Sequence, residues 1–143
     1  MSVEHILAEK GRDTVTITPD RTLAEVVDML SRHRIGAVVV VDGEQAVRGI
    51  ISERDVVKAL AESGPGALDE PVSRRMSTKV ATCSVTDAIP ALMAVMTDGK
   101  FRHVPVVEGG RLGGMVSIGD LVKHRLAEME AEHKALRDYI ATA

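Results

Sequence analysis

Aromatic residues are almost missing from this chain. Phe101 and Tyr139 stand alone, and there is no Trp. A stacking platform for single-stranded nucleic acid needs several rings on one surface, so that class is excluded. The core must instead be built from Val, Leu, Ile, Met and Ala. Cysteine is equally scarce. Cys83 has no companion, which excludes an intrachain disulfide and a four-cysteine zinc site. The five histidines are scattered without ligand spacing, so no metal is expected. No apolar run approaches the roughly 20 residues of a membrane helix. The opening MSVEHILAEKGRD lacks the apolar stretch and cleavage signal of a secretory leader, so a cytoplasmic protein with no membrane partner is expected. An excess of one charge is lacking too, with 18 basic residues against 21 acidic ones and a net charge of −3. That balance argues against a nucleic-acid partner, while leaving room for a local basic pocket.

What the chain does have is length and repetition. Its 143 residues, 45% hydrophobic and 27% charged, suit one compact domain or two small units sharing a core. The segment GIISERDVVK (Gly49 to Lys58) returns as GMVSIGDLVK (Gly114 to Lys123). Upstream, IGAVVVVDG (Ile35 to Gly43) returns as FRHVPVVEG (Phe101 to Gly109), and VTITPDRTLAEVVDML (Val15 to Leu30) aligns with ATCSVTDAIPALMAVM (Ala81 to Met96). The copies run in step apart from one residue missing from the second turn. Such self-similarity marks a repeat architecture.

Each copy reads strand, helix, strand, turn, strand, helix. Thr22 with Glu25 has the spacing of a capping box, and Leu23, Val26, Val27 and Leu30 then share a helical face. Ile89, Leu92, Met93 and Met96 repeat that stripe, with Asp87 as the expected N-cap and Pro90 in the first turn. Ala37 to Val41 and Val104 to Val107 are β-branched runs suited to buried strands. Asp42-Gly43 and Glu108-Gly109-Gly110 are turns; Val47 to Ile51 and Leu112 to Val116 form the third strands. Helices follow from about Asp55 and Asp120. The last runs to about Ile140 and keeps an apolar side of Val122, Leu126, Met129, His133, Leu136 and Ile140. Past Leu126 it has no counterpart in the first copy, so it is expected to cover the N-terminal segment or another subunit. The expected division is an N-terminal segment with the first unit over 1–63, a linker over 64–77, the second unit over 78–127 and a helical extension over 128–143.

These paired segments resemble a tandem pair of cystathionine-β-synthase (CBS) domains. The residues that carry the resemblance are Gly49 to Asp55 with Ile35 to Val41, and Gly114 to Asp120 with Arg102 to Val107. It extends from about Val15 to Leu126, and the layout is similar to small stand-alone bacterial CBS-pair proteins. The resemblance implies an α/β (α+β) fold of two pseudo-twofold-related β-α-β-β-α units packed sheet to sheet. It implies adenine nucleotides (AMP, ADP, ATP, S-adenosylmethionine or NAD(H)) in two clefts between the units, a sensing or regulatory role, and a homodimer.

The chemistry of the repeated motif fits such a ligand. One carboxylate accepts from both hydroxyls of a ribose cis-diol, and Asp55 and Asp120 stand at helix starts. Ser52 and Ser117, with the first helical N–H groups, would face a phosphate. The same Ser-x-x-Asp pattern can equally be helix capping alone. The resemblance further implies that each cleft combines the Ser and Asp of one copy with strand starts of the other. One cleft would hold Ser52, Arg54 and Asp55 with Lys79, Thr82, Cys83, Arg102, His103, Val104 and Pro105. The other would hold Ser117, Gly119 and Asp120 with Thr16, Ile17, Thr18, Gly36 and Ala37. Gly119 replaces the arginine of the first motif, so the first cleft is expected to favour more phosphates or a dinucleotide. Adenine would be held by aliphatic side chains such as Ile17, Val38, Ile51, Val104 and Val116, or these are plain core.

His103 has no evident nucleophile or base partner, so no catalytic residue is expected. Cys83 reads as a buried inert thiol beside a cleft. Arg74-Arg75 reads as a solvated linker pair, or as a phosphate or partner contact. The competing functions are an enzyme and a scaffold. The chain looks like the regulatory insert of inosine-monophosphate dehydrogenase, yet it has neither the length of a catalytic barrel nor a Gly-rich phosphate loop. A dimerising scaffold would leave both clefts empty.

Overall fold

The computed structural model describes residues 1–142. The elements are α1 (Val3–Lys10), β1 (Thr16–Ile17), α2 (Leu23–His33), β2 (Ala37–Val41), β3 (Val47–Ser52) and α3 (Glu53–Ser63), followed by a 3-10 turn (Gly64–Asp69). The second half holds α4 (Val72–Arg75), α5 (Ile89–Gly99), β4 (His103–Glu108), β5 (Arg111–Ser117) and α6 (Ile118–Thr142). The two-copy α/β reading therefore holds, including the long terminal helix. The first strand shortens to two residues in copy one. In copy two it is a single parallel bridge from Cys83 to Val106.

β2 pairs antiparallel with β3 and parallel with β1; β4 and β5 form the matching hairpin. Both hairpins shift register before their turn, at Val40/Val41 and Val106/Val107. Gly109 and Gly110 both take positive φ, 58° and 79°, as a two-residue type I′ turn requires. The longer first turn is held by Asp42, whose carboxylate accepts from the amides of Glu44 and Ala46. That difference accounts for the missing residue.

Helix starts depart from expectation in two places. Thr22 caps α2 by accepting from the Glu25 amide, but Glu25 turns to Arg21 rather than closing a capping box. Ala88, not Asp87, is the N-cap of α5; Asp87 instead accepts from the Ser84 amide.

Two hydrophobic clusters form rather than one shared core. Leu23, Val26, Val38, Val40, Ile51 and Val56 belong to the first. Ile89, Leu92, Met96, Val104, Val116 and Leu121 belong to the second. β2 is buried on both faces: Val38 and Val40 point into the first cluster, so Ala37, Val39 and Val41 point the other way. There the second unit approaches, with Gln45 accepting from the Leu112 amide at 2.9 Å.

Each cluster is completed by a segment from the other end of the repeat. Val3, Ile6 and Leu7 of α1 fill the second cluster, while Ala67 and Val72 fill the first. Backbone bonds fix both exchanges: Val3 N–H to Asp87 and Glu4 N–H to Val85 on one side, Val72 N–H to Arg21 and Ser73 N–H to Pro19 on the other. The expected linker over 64–77 is thus packed structure. Arg75 is part of it, bonded to Glu70 at 2.9 Å, Glu62 at 2.6 Å and Ser63 at 2.7 Å, while Arg74 stays exposed as expected of a solvated residue.

Candidate functional site

A cavity of about 420 Å³ opens where the two units meet. Antiparallel pairing places Ala37 opposite Ser52, so the start of β2 and the start of α3 share one rim. Gly36, Ala37, Ile50, Ser52, Glu53, Arg54 and Asp55 line this side. The second unit contributes Ser77, Lys79, Val80, Ala81, Lys100, Phe101, Arg102 and His103. A Cβ on Gly36 would lie 2.9 Å from the Glu53 carboxylate and 3.6 Å from the His103 ring, so the missing side chain keeps the rim open.

Ser52 and Asp55 form a capping box. The Ser52 amide and hydroxyl donate to Asp55 Oδ2 at 2.8 and 3.0 Å, and the Asp55 amide donates to Ser52 Oγ. The Glu53 amide donates to the Gly36 carbonyl. These bonds engage the amides of Ser52, Glu53 and Asp55 inside the protein. An anion at this helix start would therefore meet side chains rather than a cradle of these N–H groups. All bonds to Asp55 use Oδ2, which leaves Oδ1 free to accept from a further donor, and Asp55 lines the cavity.

Cations supply the counter-charge. Among the described residues, Arg54, Lys79, Lys100 and Arg102 take part in no ion pair. All four are exposed at the cavity rim. Arg34, Lys58, Arg111, Lys134 and Arg137 are likewise in no ion pair among the described residues, so what sets these four apart is that they share one cavity. His103 does not add to the charge. Burial, then the nearby Lys10 ammonium, holds its imidazole below the ordinary histidine range, so it meets the cavity as a neutral ring.

The other sequence-derived candidates are distributed differently from expectation. Gly36 and Ala37 belong to this cavity, not to the second cleft, because the hairpin register ties them to Ser52. Thr82 and Cys83 do not line it; Val80 and Ala81 do. The parallel bridge of Cys83 with Val106 carries that strand away from the start of β4. Thr16, Ile17 and Thr18 move off in the same way. β1 pairs at Val39 and Val40, so they line a separate surface hollow beside Asp42 and Gly43. Val104 and Pro105 are buried behind the rim. Ile17, Val38, Ile51, Val104 and Val116 are core. By strand alternation it is Ile50, not Ile51, that faces the cavity, and Phe101 joins it there. Cys83 is inert: burial, with Asp87 nearby, pushes its thiol up to about 12.

The second motif keeps the same local geometry. The Ser117 amide donates to Asp120 Oδ2 at 2.8 Å, the Asp120 amide donates to Ser117 Oγ at 3.1 Å, and the Ile118 amide donates to the Arg102 carbonyl. Gly119 is exposed beside it. Here, however, Lys10 Nζ lies 2.6 Å from Asp120 Oδ2. Burial alone would raise the Asp120 carboxyl; the Lys10 ammonium and the Ser117 donors outweigh that and hold it below the usual range.

The CBS domain family model matches residues 4–62 and 72–127. The chain belongs to the CBS domain family. A CBS domain-containing protein from Agrobacterium tumefaciens has a similar structure, with a TM-score of 0.83 and 48% identity over 87% of this chain and 99% of that one. The mitochondrial CBS domain-containing protein CBSX3 of Arabidopsis thaliana is 33% identical over 97% of this chain and 71% of its own length. Inosine-5′-monophosphate dehydrogenase of Mycobacterium tuberculosis is 33% identical over 87% of this chain, but that match spans 23% of the enzyme. The similarity is thus confined to a small part of that protein. Two CBS structures at lower identity share the fold. One, at 23%, holds 5′-methylthioadenosine and S-adenosyl-L-methionine, and the other, CBSX2 at 18%, holds AMP. Among the described residues no helix is long and apolar enough to cross a membrane, and no cluster of His, Cys, Asp and Glu could hold a metal.

Proposed function

We propose that this CBS pair is a non-catalytic sensor that binds an adenine nucleotide in the cavity beside Asp55. The observation that carries the reading is the set of unpaired cations around a carboxylate that retains a free oxygen. Asp55 accepts the ribose hydroxyls. Arg54, Lys79, Lys100 and Arg102 meet the phosphates. Ile50, Val80, Ala81 and Phe101 provide an apolar seat for adenine, and His103 reads polar atoms as a neutral donor or acceptor. A volume of about 420 Å³ lies within the usual range for such ligands. With so much positive charge at one end, ATP, ADP or NAD(H) binds more tightly than AMP. The adenosine ligands held by other CBS structures agree with this choice of chemistry.

The ligand touches both units, so its binding energy favours one arrangement of the pair and stabilises it by mass action. The signal leaves through a homodimer or a regulated protein, in the cytoplasm. Val122, Leu126, Met129, Leu136 and Ile140 on α6 are 40–65% exposed, and a second copy covers them. Thermal-shift titration with AMP, ATP and NADH, with native mass spectrometry of the protein as purified, tests the reading. A rise in Tm of several degrees with at least one nucleotide is expected. No shift with any of them at millimolar concentration would overturn it.

A further inference from the structure

The two Ser-x-x-Asp motifs have the same local geometry, yet they differ in what occupies the aspartate. Asp55 has no cation on it among the described residues, whereas Asp120 holds the Lys10 ammonium at 2.6 Å. The contrast is sharper because a lysine is available in both places. Leu7 packs where a Cβ on Gly114 would be, and Lys10 follows it by three residues. Met76 packs in the same way on Gly49, and Lys79 follows it by three residues. Lys79 lines the open cavity without reaching Asp55; Lys10 closes on Asp120.

We infer that Lys10 is an internal plug for the second cleft, so that this chain takes one nucleotide, beside Asp55, and takes a second only when α1 releases Asp120. The inference rests on the nucleotide reading given above. An ammonium is a donor only, and so are ribose hydroxyls toward a carboxylate. Lys10 bonds Asp120 Oδ2 and neutralises the carboxylate, so the remaining oxygen is a weaker acceptor for ribose hydroxyls than the unpaired Asp55 carboxylate.

The plug is anchored along its whole length. Val3, Ile6 and Leu7 are fully buried in the second cluster. The N-terminal amine of Met1 pairs with Glu128 at 3.1 Å, and Glu9 meets His124 at 3.0 Å and Lys123 at 3.7 Å. Arg12 bonds to Glu108 just beyond the helix. Lys10 ends α1, where the helix dipole favours a cation, so the ammonium is held in place by its own helix as well as by Asp120. Replacing the plug by a ligand thus requires breaking a local pair, not refolding α1.

Isothermal calorimetry with AMP on the full chain tests this, using wild type, Lys10→Met, Lys10→Arg and Lys10→Met/Asp120→Asn. Wild type and Lys10→Arg are expected to bind one AMP per chain. Lys10→Met is expected to bind two, the new site at least tenfold tighter than any second site in wild type. The double variant is expected to return to one. A second wild-type site within tenfold of the one in Lys10→Met, or only one site in Lys10→Met, would overturn the plug and leave the first cleft's function intact. No binding by wild type but one AMP on Lys10→Met would keep the plug and overturn the first-cleft reading. No binding by either would overturn both.

Discussion

Leu7 Cδ2 lies 2.9 Å from the point where a Cβ would stand on Gly114. This contact seats α1 on β5, and so ties the start of the chain to the second repeat. Gly114 also has φ of +154°, a backbone conformation that favours glycine. Gly114→Ala is therefore expected to cost about 1–3 kcal/mol through overpacking. Urea unfolding followed by circular dichroism measures it. Gly49→Ala should be at least as costly, because its Cβ would meet the Ser77 carbonyl oxygen at 2.8 Å, which is backbone and cannot swing away.

The unpaired cations make a prediction about ligand choice. A hydrogen bond to a charged group contributes about 1.5–3 kcal/mol, or roughly tenfold or more in affinity. Arg54→Ala and Arg102→Ala should each weaken ATP or NADH by about that factor, and AMP by less. Gly119→Ala, at the position matching Arg54, should leave ATP affinity unchanged. Fluorescent-nucleotide competition reads all three; equal losses from Arg54→Ala and Gly119→Ala would contradict the assignment of phosphates to the first cleft.

The Lys10–Asp120 pair carries a pH signature. The Asp120 carboxyl is held below its ordinary 3.8. A depressed carboxylate contributes stability that is present above the unfolded value and is lost as pH falls through the lower folded one. The pair is partly exposed, so its contribution is no more than about 1 kcal/mol, a few degrees in Tm at this chain length. The Tm difference between wild type and Lys10→Met should be constant from pH 7 to about 5, shrink as pH falls through 3.8 and vanish only below the lower folded value. A difference that persists at acid pH would assign Lys10 to packing alone.

The repeat, the strand cores and the Ser-x-x-Asp motifs were legible in the sequence because they rest on local patterns. Ala37 to Val41 is the unbroken apolar run of a strand buried on both faces, and Ser52 with Asp55 has the spacing of a cap. Partnering between segments was not legible. Nothing in ILAEKG or PVSRRMS records that each docks on the opposite copy, since an apolar stripe says that it is buried and not against what. The place of Gly36 and Ala37 follows from hairpin geometry alone. A tight hairpin puts the start of β2 against the end of β3, so these residues had to join Ser52. The same argument, applied to parallel pairing, moves Thr16 to Thr18 and Cys83 away from the strand starts.

The extension of α6 beyond the repeat makes a prediction about assembly. Leu126, Met129, Leu136 and Ile140 are 50–65% exposed, an apolar set on the extension that a second copy would cover. Truncation after Leu126 should weaken self-association by at least tenfold in light scattering, with the fold of the repeats retained by circular dichroism. A truncated chain that stays dimeric would move the interface elsewhere.

Calorimetric titration of ATP into wild type and Asp55→Asn tests the central claim most directly. Asparagine keeps the size of the side chain but puts a donor where the ribose needs an acceptor. The account predicts a measurable site in wild type, weakened at least tenfold in Asp55→Asn while Tm without nucleotide changes little. Unchanged ATP affinity in Asp55→Asn would contradict it.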